Sequence, residues 1–203
     1  MARNGIEEGI RHIKRVDPRL AKVIRYSKSK PRVVHRGKPL EALYTAIISQ
    51  QISGAAADTI QKRFYALYGN AAPTPKQLLS THARKLRSCG LSRQKVSYLR
   101  DLASKASNYS IRINEMAHLT DQQVMEELTS IKGIGRWTAE MFLIFNLGRL
   151  DVFPVGDLGI RRGMTRLYDL DPKTPEEELT RIAEKWRPYR SVGSWYIWQT
   201  HDK

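Results

Sequence analysis

Cysteine is nearly missing from these 203 residues: Cys89 stands alone. One thiol cannot close an internal disulfide, build a thiolate zinc finger or ligate an iron–sulfur cluster. Acidic side chains are scarce beside basic ones, 20 Asp and Glu against 35 Lys and Arg, a formal net charge of +15. A surplus of that size points to a polyanionic partner, of which nucleic acid is the commonest. No apolar run approaches the roughly 20 residues a membrane span needs, so no membrane partner is expected. The opening Met-Ala-Arg-Asn-Gly-Ile-Glu-Glu has no apolar signal segment, and the expected location is intracellular. Low-complexity tracts, tandem repeats and long linkers are lacking too. With 41% hydrophobic and 27% charged residues, the chain reads as folded, either one domain or two fused lobes.

What is present is helical periodicity. Leu40, Leu43, Tyr44, Ile47 and Ile48 line one helix face, and Ile60, Phe64, Leu67 and Tyr68 line the next until Gly69 ends it. Val96, Leu99, Leu102, Ala103 and Ala106 mark another, and Leu179, Ile182, Ala183 and Trp186 one more. Ser53 is placed to cap a helix, Thr74-Pro75 and Thr174-Pro175 each set a hydroxyl before a helix-starting proline, and Thr174 with Glu177 has the capping-box pattern. Only Leu150–Val155 alternates like a strand, and Pro154 interrupts it. The architecture is all-α. The basic stretch Ser27–Lys38 reads as an exposed loop, either solvated surface or a phosphate contact.

The densest signal lies between Leu128 and Ala139. A helix capped by Thr120, with Gln123 at the capping-box position, runs toward Ile131. Lys132-Gly133-Ile134-Gly135-Arg136-Trp137-Thr138-Ala139 follows, then an apolar helix through Met141, Phe142, Ile144 and Phe145. Glycines around one aliphatic residue permit a tight reversal with Ile134 tucked between the helices. The N–H groups of Gly133 and Gly135 at the start of the second helix suit a phosphate oxygen, and Lys132 and Arg136 add charge.

This hairpin resembles the helix-hairpin-helix of the HhH-GPD DNA glycosylases, and the following Asp151-Val152-Phe153-Pro154-Val155-Gly156-Asp157 resembles that superfamily's catalytic loop. The branch it looks most like is the AlkA/Mag-type 3-methyladenine DNA glycosylases. Ile48-Ser49-Gln50-Gln51-Ile52-Ser53 is similar to that branch's lesion-probing loop, and Glu184–Ser191 with Trp198 to its C-terminal helices. The resemblance implies a two-lobed helical fold with the active site in the cleft between lobes. It also implies one catalytic unit over 1–203, with a central lobe at about 40–130, a second from about 1–39 plus 131–203, and the hairpin at about 121–147. It assigns catalysis to Asp157 and the base pocket to Trp137, Met141 and Trp198. DNA contact falls to Gln50, Gln51, Ile52, Ser53, Lys132, Gly133, Ile134, Gly135, Arg136 and Thr138, with Gln51 at the wedge position. No organic cofactor is implied; a sodium or potassium ion on the backbone carbonyls of Thr129, Ile131 and Ile134 is. The implied partner is double-stranded DNA bearing alkylated bases, and nothing signals an oligomer, so a monomer is expected.

The departures are informative. Bifunctional relatives carry a Schiff-base lysine where Trp137 stands, and indole forms no imine, so strand cleavage by that route is not expected. At 203 residues the chain is not expected to carry the extra N-terminal β-rich lobe of the longer AlkA-type enzymes. One carboxylate is enough if the leaving base already carries positive charge, because only the oxocarbenium-like sugar and a water remain to be managed. Indole faces favour such a cationic ring. Two other readings stay open: a non-catalytic hairpin DNA-binding protein in which Asp157 merely caps a helix, and a glycosylase for a neutral lesion such as hypoxanthine or uracil.

Overall fold

The computed structural model describes residues 2–33 and 37–201; residues 34–36 of the basic loop lie outside them. In chain order the helices are α1 (Ala2–Val16), α2 (Pro18–Tyr26), α3 (Pro39–Ser49), α4 (Gly54–Ala66), α5 (Pro75–Ser80), α6 (Ala83–Ser88), α7 (Arg93–Ser107), α8 (Asp121–Thr129), α9 (Arg136–Phe145), α10 (Leu158–Tyr168), α11 (Glu176–Ala183) and α12 (Arg190–Trp198). Short 3-10 turns follow α11 and α12. The fold is all-α, and Leu150–Val155 is a loop rather than a strand.

Local chemistry starts most of these helices. Ser53 accepts the Ala56 N–H, and Thr74 and Thr120 form full capping boxes with Gln77 and Gln123. Such caps satisfy N–H groups that have no partner inside the helix. Thr174 departs from its expected role. Its hydroxyl donates to the Asp171 carbonyl (2.7 Å) while its own carbonyl accepts from Arg161 Nη2 (3.2 Å), and α11 begins one residue after Pro175 without a side-chain cap.

Two compact units emerge, Gly37–Phe142 and the joined chain ends Met1–Arg36 with Leu143–Lys203. The sequence-based division places 131–142 with the ends; these hairpin residues instead belong to the central unit. The reason is α7. Asp101 Oδ2 accepts the Lys132 N–H (2.9 Å), and the Tyr98 ring lies so close over Gly133 that a Cβ there would meet it at 2.1 Å. The central core is built from Leu43, Tyr44, Ile47 and Ile48 of α3, Phe64 of α4, Leu99 and Leu102 of α7 and Leu128 of α8, all fully buried. Each such side chain contributes about 1.5–3 kcal/mol by leaving water.

The unit made from the chain ends buries Ile13, Leu20, Ile160, Met164, Leu179, Trp186, Val192 and Ile197. Gly159 and Gly163, one turn apart, let α10 approach α12. A Cβ at Gly163 would meet Ile197 Cγ2 at 2.5 Å and the Ile197 carbonyl oxygen at 2.8 Å. A buried carboxylate ties the unit together. Asp17 caps α2 through the Leu20 N–H (3.0 Å), accepts from Trp186 Nε1 (2.8 Å) and from the Tyr168 hydroxyl, and pairs with Lys185 (3.2 Å). Burial alone would raise its pKa. The hydrogen bonds from Tyr168, Leu20 and Trp186, with the Lys185 charge, outweigh burial and hold it below the usual carboxylate value. A depressed folded-state pKa stabilises the fold above the unfolded pKa and ceases to do so as pH falls through the folded one. Urea unfolding of wild type and Asp17→Asn is therefore expected to differ by about 1.5–3 kcal/mol near neutrality, with the gap closing below about pH 4.

Candidate active site

In the unit formed by the chain ends, the segment that presents Asp157 is anchored before it emerges. Val152, Phe153, Pro154 and Val155 are buried, with Phe153 edge-on to Trp186 (centroids 5.8 Å apart, 81°). The start of α12 clamps the segment. Ser191 Oγ donates to the Arg149 carbonyl (2.8 Å) and accepts the Val152 N–H (2.9 Å), and the Ser191 N–H donates to the Leu150 carbonyl (2.9 Å). Arg190 grips Asp151 through Nε to Oδ1 (2.7 Å) and Nη2 to the carbonyl (3.0 Å). At the far end of α12, Trp198 Nε1 donates to Asp157 Oδ1 (2.8 Å). One helix thus holds both ends of the loop.

Asp157 is half-buried, not enclosed, and its Oδ1 also accepts the Ile160 N–H (2.9 Å) as the cap of α10. Two N–H donors on one oxygen fix the plane of the carboxylate. The cap role expected as an alternative is therefore real, and the side chain that fills it is only half-buried. Gly159 makes room for the arrangement, since a Cβ there would meet Asp157 Oδ1 and Trp198 Cδ1 at 2.9 Å each. Phe145 lies against Trp198 (5.8 Å, 31°) and near Trp195 (6.4 Å). Arg190, Ser191, Gly159 and Phe145 carry no motif by themselves. The i,i+4 pairing of Gly159 with Gly163 was the only available sign of a close crossing.

In the central unit, α8 and α9 form the expected hairpin. The Ile131 N–H donates to the Leu128 carbonyl (3.1 Å) and the Ile134 N–H to that of Ile131 (3.1 Å), with Ile131 and Ile134 buried. Gly133 takes φ +81, which its lack of a Cβ allows. Among the described residues, the N–H groups of Gly133 and Gly135 have no protein acceptor, and they sit where α9 begins. Lys132 and Arg136 are exposed beside them, the latter paired with buried Glu140 (2.9 Å). Trp137 is 52% exposed, and Thr138 and Met141 are half-buried.

The loop after α3 belongs to the same unit. Gln50 Nε2 donates to the Gly133 carbonyl (2.7 Å), strapping this loop to the hairpin. Lys95 of α7 donates to the Ile48 carbonyl (2.6 Å), and burial lowers its pKa. Gln51 adopts φ +56, a sparsely populated conformation for a residue with a side chain and one that gathers at functional segments. Gln51, Ile52 and Ser53 are exposed. Of the large apolar side chains left exposed among the described residues, Ile52, Trp137 and Leu158 fall in the probing loop, on the hairpin and beside Asp157. Among the described residues no cluster of His, Cys, Asp and Glu suits a metal ion. The hairpin carbonyls of Thr129, Ile131 and Ile134 are the hard oxygen donors a monovalent cation takes. Next to them, Lys105 donates to the Ser130 carbonyl and pairs with Asp101 (3.2 Å).

A hairpin offering free N–H groups and a held aspartate downstream define a class. Residues 44–188 match the family described as HhH-GPD superfamily base excision DNA repair protein, and the chain belongs to that superfamily. It is 38% identical over 172 residues to DNA-3-methyladenine glycosylase 1 of Schizosaccharomyces pombe, covering 83% of this chain and 75% of that one. It is 35% identical over 164 residues to the same yeast's alkylbase DNA glycosidase-like protein mag2, covering 79% and 77%. Among solved structures, that of S. pombe Mag1 in complex with abasic DNA superimposes with a TM-score of 0.80 at 33% identity over 97% of both chains. A DNA-3-methyladenine glycosidase from Bacillus halodurans gives 0.85 at 34%, over 95% and 88%.

Proposed function

We propose that this protein is a monofunctional DNA glycosylase that removes alkylated purines, of the 3-methyladenine and 7-methylguanine type, from duplex DNA. The observation that carries the reading is Asp157, half-buried at the start of α10 with one oxygen fixed by Trp198 Nε1 and the Ile160 N–H. The relatives named as 3-methyladenine glycosylases support it.

A purine alkylated at N3 or N7 is cationic and departs neutral, so the leaving group needs no protonation. The carboxylate of Asp157 stabilises the oxocarbenium-like deoxyribose as the N-glycosidic bond breaks and takes a proton from the attacking water, leaving an abasic site. Trp198 acts here mainly as the donor that holds Asp157, with Phe145 against its ring. Trp137 and Met141 of α9 offer surface for the flipped base, the indole favouring a cationic ring. Gln51 and Ile52 fill the space the base vacates, while Gln50 keeps their loop on the hairpin. The N–H groups of Gly133 and Gly135, with Lys132, Arg136 and Thr138, hold a backbone phosphate. The carbonyls of Thr129, Ile131 and Ile134 would hold a sodium or potassium ion, adding positive charge at that phosphate. Trp137 in place of a Schiff-base lysine leaves no imine route to strand cleavage. The protein acts as a monomer.

The test uses duplexes with single defined lesions, assayed with and without alkali. Released 3-methyladenine or 7-methylguanine, with strand breaks appearing only after alkali, is the expected result. Preferential release of hypoxanthine or uracil, or breaks without alkali, overturns the substrate or the monofunctional assignment respectively.

A further inference from the structure

The charge of this chain is unevenly spread. The first 38 residues hold twelve of the Lys and Arg but only three of the Asp and Glu, so nine of the fifteen surplus charges sit there. None of the hairpin or the Asp157 loop lies in that stretch. In the structure, α1 and α2 turn Ile6, Ile10, Ile13, Leu20 and Ile24 inward and leave Arg11, Lys14, Arg15, Arg19, Lys22 and Arg25 outside. Lys30 is paired with Glu7 (2.8 Å), and Arg19 is occupied by the Leu167 carbonyl (3.2 Å) and the Tyr168 ring. Among the described residues, Lys22, Arg25, Lys28 and Arg32 form no ion pair and all are exposed.

Lys28 also lines a groove with Tyr26, Ser27, Ser29, Arg166 and Gln199, into which Val23 of α2 reaches. Its walls are tied together. Arg166 Nη1 donates to the Thr200 carbonyl (3.0 Å), and Ser29 Oγ donates to Gln199 Oε1 (3.2 Å). Tyr26 is 67% exposed at its edge. Exposed cations without counter-ions, beside an exposed tyrosine, are what a sugar-phosphate backbone meets.

We propose that the outer face of α2 and this groove form a second nucleic-acid surface, which takes the phosphate backbone of duplex DNA without reading its sequence. The surface lies in a different unit from the hairpin and acts on affinity rather than on base release. It does not rest on the glycosylase reading, because binding to undamaged duplex tests it with no lesion present.

The experiment compares two charge-matched triple variants, Lys22→Gln/Arg25→Gln/Lys28→Gln and, as control, Lys62→Gln/Arg63→Gln/Lys76→Gln on exposed positions of the central unit. Binding to an undamaged duplex is followed by anisotropy from about 50 to 200 mM salt, and melting curves show that both variants are folded. Every phosphate that the protein no longer neutralises makes the log–log salt slope shallower by about 0.9, so the slope of the first triple is expected to fall by up to about 2.7 while that of the control changes less. An unchanged slope, or equal changes in both triples, overturns the proposal. In the first case the surface serves an acidic protein or no partner; in the second only total charge matters.

Discussion

Asp157→Asn is expected to lower base release by about 10²–10⁴-fold while fold and duplex binding persist. The choice of Asn matters. Its side-chain oxygen can still accept from the Ile160 N–H and from Trp198 Nε1, so the cap of α10 and the link to α12 survive. What goes is the negative charge beside the sugar and the ability to take a proton from water. Ala would confuse the result, because losing an Asp cap costs about 1 kcal/mol of stability on its own. Single-turnover release from a 3-methyladenine or 7-methylguanine duplex reads the chemistry, anisotropy reads binding and a thermal melt reads the fold. If release by Asp157→Asn stays within about tenfold of wild type, below the usual range for an acid–base group, Asp157 is only a helix cap and the catalytic reading fails.

The contrast between caps and contacts explains what sequence alone reveals. Thr74 and Thr120 are readable because a capping box is complete within four successive residues and needs nothing from the rest of the chain. Thr174 has the same local pattern and does not cap, because Arg161 and the Asp171 turn engage its carbonyl and hydroxyl. The hairpin is readable for the reason that Thr120 is: reversal, burial of Ile134 and donor placement are all local. The clamp on the Asp157 loop is not. Ser191 and Val152 meet across 39 positions of sequence, and Trp198 and Asp157 across 41, so no short window contains either pair. Asp17 shows the same limit. In sequence it is an ordinary cap before Pro18, yet it is 1% exposed and also accepts from Tyr168 and Trp186, far along the chain. The boundary between units escapes the sequence on these grounds too. Residues 131–142 join the central unit through Asp101 and Tyr98 of α7, side chains whose partners no periodicity reveals.

Gly133→Ala and Gly135→Ala are expected to fail in different ways, although both add one methyl group to the same turn. Gly133 sits at φ +81, where an L-residue loses about 1–2 kcal/mol. Its new Cβ would also meet Tyr98 Cδ2 at 2.1 Å and Cγ at 2.6 Å. Tyr98 is held by Gln94 Nε2 on its hydroxyl (2.5 Å), and the Gly133 carbonyl is held by Gln50, so neither side yields without disturbing the probing loop. Overpacking of this kind adds about 1–3 kcal/mol. The combined cost predicts a melting temperature lower by roughly 5–15 °C, with duplex binding lost alongside. At Gly135 the added Cβ meets nothing within 4 Å and φ is not positive, so the melt should stay where it is. The methyl group there projects into solvent at the start of α9, beside the N–H groups proposed to take the phosphate. Duplex affinity should therefore fall in Gly135→Ala with stability intact. If Gly135→Ala binds undamaged duplex as wild type does, the phosphate does not approach the backbone at this turn, and Lys132 and Arg136 carry that contact through their side chains.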